Sequence, residues 1–159
     1  MKHLPKHLRP RWRYLAVGIE TWPDAAVGRR AFQRALWYSA GNLLGDAGSA
    51  DADLTLLSFA HADGTGEAVV RVRHGHVDDA RAAVACVSEV DGEPVGIRVR
   101  GISGTVRACE ERYMRRATAS STQRDVAFEG SERPAVVRGD ACDVETESDR
   151  VGATTFDIE

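Results

Sequence analysis

Residues 54–74 read LTLLSFAHADGTGEAVVRVRH, and this stretch decides the fold. Two runs rich in β-branched and apolar residues, Leu54–His61 and Glu67–His74, flank Ala62-Asp63-Gly64-Thr65-Gly66. An Asp-Gly pair between such runs favours a hairpin, because both central residues of the tightest hairpin turns take positive φ. In the second run Val70 and Val72 alternate with Arg71 and Arg73, the period of a strand with one buried face.

Upstream, RYLAVGIE at residues 13–20 alternates Leu15, Val17 and Ile19 with Tyr14, Ala16 and Gly18, a first half-buried strand. Thr21-Trp22-Pro23-Asp24 then reads as a helix start, with Thr21 or Asp24 as the cap and Pro23 tolerated in the first turn. The helix extends to Leu44, with Val27, Ala31, Ala35, Leu36, Ser39 and Leu43 near helical spacing and Arg29, Arg30 and Arg34 on the polar face. Gly45–Asp53 reads as a loop. Downstream of the hairpin, Val77–Val87 is a short helix with Asp78 and Asp79 in its first turn. Asp91-Gly92 turns the chain into a strand over Glu93–Ile102, in which Val95, Ile97 and Val99 alternate with Gly96, Arg98 and Arg100. A last helix, capped by Ser103, runs through about Thr118 with Val106, Cys109, Tyr113 and Ala117 on one side.

The order β-α-β-β-α-β-α contains a split βαβ arrangement, so the expected class is α+β. The expected architecture is a ferredoxin-like or RRM-like β-α-β-β-α-β sandwich, two helices on one face of an antiparallel sheet, with an extra C-terminal helix. With the usual sheet order, fourth strand beside first, then third, then second, parity places Val70, Val72, Leu15, Val17, Ile19, Val95, Ile97 and Val99 on the core side. Tyr14, Arg71, Arg73, Arg98 and Arg100 are left on the open face. Four guanidinium groups on adjacent strands repel one another, so an anionic partner is expected there unless tail acids or the last helix neutralise them. The third strand offers Glu67, Val69, Arg71 and Arg73 and no aromatic ring, so backbone or protein contact is favoured over base stacking.

The charge is unevenly spread. The net value of -3 over 159 residues hides a tail, residues 120–159, with four Arg against ten acids, and a mildly basic remainder. The first 13 residues carry Lys2, Lys6, Arg9, Arg11 and Arg13 and no acid, the kind of arm that neutralises phosphates. Three segments follow: a basic arm at 1–12, a ferredoxin-like domain at 13–118, and a Ser, Asp and Glu rich tail at 119–159 that is expected to be disordered. Only two of the 21 basic residues are Lys, which with the acidic tail points to a salt-loving host. No window reaches the ~18 consecutive apolar residues of a membrane span, and the N-terminus lacks the apolar stretch of a secretory signal, so a cytoplasmic protein is expected.

Candidate chemistry is sparse. Cys86, Cys109 and Cys142 form no CxxC and are odd in number, so free thiols are expected. Cys109 falls on the helix's core face and is a poor nucleophile candidate. His74-x-His76 and the pair His3 and His7 lack a carboxylate or thiol at a familiar spacing, so no metal site is assigned. Gly101-Ile102-Ser103-Gly104-Thr105 opens a helix and could hold a phosphate on free N–H groups, but without a P-loop's Lys and spacing it reads first as a cap.

Three marks taken together carry a resemblance. They are Leu4-Pro5 followed by basic residues with Arg13-Tyr14-Leu15 entering the first strand, Arg71-Val72-Arg73 closing the third, and Ser103-Gly104-Thr105-Val106-Arg107 opening the last helix. Over about residues 4–116 the chain resembles the archaeal ribonuclease P protein component 2 family, related to the small Pop-type subunit of eukaryotic RNase P and RNase MRP. The resemblance implies a noncatalytic subunit of the endoribonuclease that removes the 5′ leader from precursor tRNA, with cleavage carried out by the RNase P RNA and its bound Mg2+ and no cofactor on the chain itself. It implies pairing with RNase P protein component 3 in a heterotetramer whose centre is a dimer of this chain. On this view Lys2, Lys6, Arg9, Arg11, Arg13, Tyr14, Arg71, Arg73 and Arg107 touch RNA, Arg98, Arg100, Ser103, Gly104 and Thr105 lie at an RNA or protein interface, and apolar helix and edge-strand surface meets protein. Two rival classes stand beside it. A ferredoxin-like dimer binding a small molecule between sheets would not need the basic arm, and a stand-alone nuclease or tRNA-modifying enzyme would need a catalytic base or metal cluster.

Overall fold

The computed structural model describes residues 3–114 and 121–158. Its first layer is an antiparallel sheet in the order β2-β3-β1-β5-β4, formed by β1 (Trp12–Thr21), β2 (Thr55–Ala62), β3 (Thr65–Arg73), β4 (Glu89–Val90) and β5 (Glu93–Ser103). Leaving aside the two-residue β4, this is the order expected from the sequence. The hairpin turn is Asp63-Gly64, with φ of 53° and 80°, so that Ala62 pairs with Thr65. Gly64 is also needed for space, since a Cβ there would lie 2.9 Å from the Thr21 carbonyl oxygen.

Two helices cover one face of this sheet. α1 (Arg29–Ala52) buries Phe32, Leu36, Ser39 and Ala40, and α2 (Val77–Ala85) buries Ala80, Ala83 and Val84. Small residues let the helices approach, and the Ser39 hydroxyl donates to the Ala83 carbonyl at 2.5 Å. The core beneath them holds Leu15, Val17, Ile19, Val70 and Val72, with Val95, Ile97 and Val99 packed at its edge, as parity requires.

The first helix differs from the expected one at both ends. It starts at Arg29 rather than near Thr21, because Thr21 completes β1: it pairs with Val95, and its amide donates to the Gly64 carbonyl at 2.8 Å. At the far end the helix continues past Leu44 with one non-helical residue, Gly45 (φ 74°, ψ 173°), and buries Ala52 before Asp53 closes it in the left-handed conformation. The Ala-rich segment that reads as a loop is thus its last turns.

Two larger departures concern the C-terminal third. α3 (Val106–Tyr113) packs on the sheet face opposite α1 and α2, where Cys109 closes over Ala16 and Val69, all three fully buried. The face expected to be open is therefore half covered. The tail expected to be disordered is a second antiparallel sheet, β6 (Ser121–Phe128), β7 (Ser131–Arg138), β8 (Ala141–Glu145) and β9 (Arg150–Thr154), in simple meander order. Val126, Ala135, Cys142, Val144 and Ile158 form its core, and Glu129-Gly130, with φ of 50° and 80°, makes the same kind of turn as Asp63-Gly64. Most of its acids sit on exposed positions, so a charged composition coexists with a thin apolar interior. The part of the last helix expected over residues 115–118 lies outside the described residues. Among the described residues no helix is long and apolar enough to cross a membrane.

Candidate nucleic-acid interface

The basic groups gather at one end of the first sheet. The N-terminal arm turns once at Lys6–Leu8, where the Leu8 amide donates to the Pro5 carbonyl at 2.9 Å and Arg9 Nε donates to the Leu4 carbonyl at 2.8 Å. The arm is then tied to the end of β3 by a bond from the His74 amide to the Arg11 carbonyl, 2.9 Å. Lys6, Arg9 and Arg11 are exposed, and the His74 bond sets Arg11 at the end of the strand that Arg73 closes. Lys2 lies outside the described residues.

Register then sets a tight cluster. Trp12 pairs with Arg73 and Tyr14 with Arg71. The guanidinium carbon of Arg71 lies 3.9 Å from the centre of the Trp12 ring and that of Arg73 lies 5.6 Å away, so two like charges share one indole. Arg73 is further held by Asp53 at 3.8 Å. This explains how neighbouring guanidiniums coexist without the tail: an aromatic face and a carboxylate from the α1 C-terminus offset the repulsion.

The other two arginines on this face differ from each other. Arg100, the extra residue of a bulge where β5 pairs with β1, reaches across Gly18 to Glu67 at 2.5 Å, with both side chains mostly buried. A Cβ on Gly18 would lie 2.7 Å from Arg100 Nε, so the glycine leaves room for that crossing. Arg100 is thus a strut inside the sheet face, whereas Arg98 is exposed.

The remaining candidates surround α3. Tyr14, with Tyr113 and Met114, packs against the buried cluster of Ala16, Val69 and Cys109 instead of standing open, and its carbonyl accepts the Cys109 thiol at 3.8 Å. Burial, with help from the Glu110 carboxylate, pushes the Cys109 thiol up to about 11. Ser103 is the last residue of β5, opposite Tyr14 and 5% exposed, so it cannot cap; Thr105 does, its hydroxyl accepting from the Ala108 amide at 3.1 Å. A Cβ on Gly104 would meet Arg13 Nη1 at 3.5 Å, which puts Arg13 beside this turn. Arg107 is exposed and pairs with Glu111 one turn on, 2.8 Å. His76 is engaged with Asp79 at 3.1 Å, and no group of three His, Cys, Asp or Glu among the described residues could hold a metal.

Sequence reasoning missed Trp12, although it stands two residues before Tyr14 and parity alone puts it on the same face. It also missed the sheet-to-sheet contact, for which no local signal exists: Arg138 Nη2 donates to the Thr21 carbonyl at 2.6 Å, and the Arg150 guanidinium lies 4.4 Å from the Trp22 ring centre.

Residues 13–114 match the model of the Rpp14/Pop5 family. The chain is 82% identical over 159 residues to ribonuclease P protein component 2 of Halorubrum lacusprofundi, with both chains covered in full. It is 61% identical over 158 residues to the protein of that name in Natronomonas pharaonis, covering 99% of this chain and 98% of the other. The protein of that name in Methanosarcina acetivorans is 33% identical over 115 residues, which is 72% of this chain and 83% of that one. Among solved structures, a chain of yeast ribonuclease MRP matches with a TM-score of 0.46 and 19% identity, over 60% of this chain and 75% of that one.

Proposed function

The chain belongs to the Rpp14/Pop5 family, and from that premise we propose that it is a noncatalytic protein subunit of ribonuclease P, the ribonucleoprotein that removes the 5′ leader from precursor tRNA. The observation that carries this reading is the full-length identity to ribonuclease P protein component 2 of Halorubrum lacusprofundi. The role of the chain is to bind and stabilise the folded RNase P RNA, which holds the Mg2+ and performs the cleavage. The arm residues Lys2, Lys6, Arg9, Arg11 and Arg13, with Arg71, Arg73 and Arg107, neutralise RNA phosphates; each contact releases counterions and so lowers the Mg2+ needed. Arg98 joins that surface. Arg100 and Tyr14 act from beneath it, as supports of the sheet face.

The protein partner is RNase P protein component 3, in a heterotetramer built on a dimer of this chain in the cytoplasm. Exposed Trp37, Tyr38 and Leu43 support a protein contact on α1. The small-molecule-binding dimer is not favoured, since the relatives bear a ribonucleoprotein name. The test is precursor-tRNA cleavage by the cognate RNA, with and without this chain and component 3, across Mg2+ and salt concentrations. A gain that needs the RNA and both proteins is expected; no gain from folded protein under any condition would overturn the reading.

A further inference from the structure

We propose that Trp12 and Arg71 form a stacking platform for an unpaired nucleobase, so that Arg71 contributes its flat guanidinium plane rather than only its charge. The proposal rests on the reading of the chain as an RNA-binding subunit and assigns a chemistry to one part of that surface.

The geometry favours a plane over a point charge. The Arg71 guanidinium carbon sits 3.9 Å from the Trp12 ring centre, a stacking distance. Its Nε is buried with no hydrogen-bond partner, and among the described residues Arg71 makes no ion pair. A guanidinium used as a structural tether would be anchored by a carboxylate, as Arg73 is by Asp53 and Arg100 by Glu67. Arg71 is instead held over an aromatic ring, with no carboxylate paired to it among the described residues. Bases stack on such planes as they do on aromatic rings. The third strand lacks an aromatic residue, and Trp12 from the neighbouring strand supplies one at the place where the basic arm joins β3.

The salt argument points the same way. If the cytoplasm is rich in salt, as the scarcity of Lys and the acidic tail imply, exposed phosphate contacts are screened within about 3 Å at ~1 M ionic strength. Stacking is far less sensitive to salt, so a site of this kind retains affinity where the arm loses it.

The experiment measures binding of the full chain to the cognate RNase P RNA, and separately to precursor tRNA, as a function of salt. Arg71→Lys keeps the charge and removes the plane; Trp12→Leu removes the ring beneath it. Each is expected to weaken binding about tenfold while the slope of log affinity against log salt stays that of the parent, and the RNA whose affinity falls is the source of the base. Arg73→Gln is the contrast, expected to reduce the slope by about 0.7–0.9. Parental affinity for Arg71→Lys at every salt concentration would make Arg71 a point charge and overturn the proposal while leaving the ribonuclease P reading intact. An Arg71→Lys loss accompanied by a changed slope would overturn it too. Failure of the parent chain to bind either RNA would overturn both.

Discussion

Arg138, on the third-from-last strand, donates through Nη2 to the carbonyl oxygen of Thr21, the last residue of β1, at 2.6 Å. The bond joins the C-terminal sheet to the strand on which the first sheet is centred. The Arg138 side chain is 8% exposed and is also bonded to Asp143, so its charge is compensated within the contact.

Replacing Arg138 with Ala leaves a buried carbonyl without its donor and Asp143 without its cation, and should cost about 1–3 kcal/mol. Denaturant unfolding of the full chain checks this; an unchanged midpoint would mean that the two sheets are energetically independent. Ending the chain at residue 120 removes both Arg138 and the Arg150 cover on Trp22, and should lower the melting temperature further.

Arg100 and Glu67 form an ion pair in which both side chains are mostly buried, so Arg100→Ala removes a charge-assisted hydrogen bond from a largely desolvated setting. Arg100→Ala is expected to destabilise by about 1–3 kcal/mol, with RNA binding per folded molecule retained. Arg98→Ala should do the opposite, leaving stability within about 0.5 kcal/mol and weakening RNA binding. Equal effects of the two substitutions on melting temperature would contradict the assignment of Arg100 as a strut.

His61 lies 2.9 Å from the Thr21 hydroxyl, which itself donates to the Trp22 carbonyl, and burial lowers its pKa below the ordinary 6.5. A base whose folded pKa is depressed binds protons more readily when unfolded. Its contribution to stability is therefore present above pH 6.5 and declines as pH falls through the lowered value. Melting temperatures measured from pH 8 to 5 should fall toward acid, and His61→Asn should flatten that dependence; a steeper fall in the variant would reverse the sign assigned here.

The thiols should separate cleanly. Cys86 is exposed, whereas Cys109 and Cys142 are buried and burial raises both of their pKa values, Cys109 to about 11. At pH 8 an alkylating reagent should modify one thiol per folded chain rapidly and the other two only upon unfolding, as read by intact mass. Rapid loss of Cys109 in the folded protein would show that α3 lifts from the sheet.

Much of the first sheet was legible because period-two patterning states which side chain faces which way: Val70 and Val72 against Arg71 and Arg73 need no tertiary information. The Asp63-Gly64 and Asp91-Gly92 turns added strand connectivity. The site was half legible. Parity finds the arginines, but not that Arg100 spans Gly18 to reach Glu67, a contact made by a bulge and a missing side chain. Nor does the amphipathic pattern of α3 say which sheet face it covers; the receiving residues are Ala16, Val69 and Gly101, and a Cβ on Gly101 would overlap the Tyr113 ring at 2.3 Å. The second sheet stayed hidden because Val126, Ala135, Cys142 and Val144 are few and small among many acids, so the composition reads as too polar to fold. Its Glu129-Gly130 turn was the available clue.

β1 runs from the basic arm at Trp12 to the acidic sheet at Thr21, ten residues and thus about 30 Å. The subunit is in effect an electric dipole with a strand for its axis. In dilute buffer a polyanion would exert a torque on it, turning the Trp12 end inward before contact. In molar salt, where fields decay within about 3 Å, that torque vanishes and orientation must come from collisions that happen to dock. Association with RNA should accordingly slow as salt rises more than dissociation quickens.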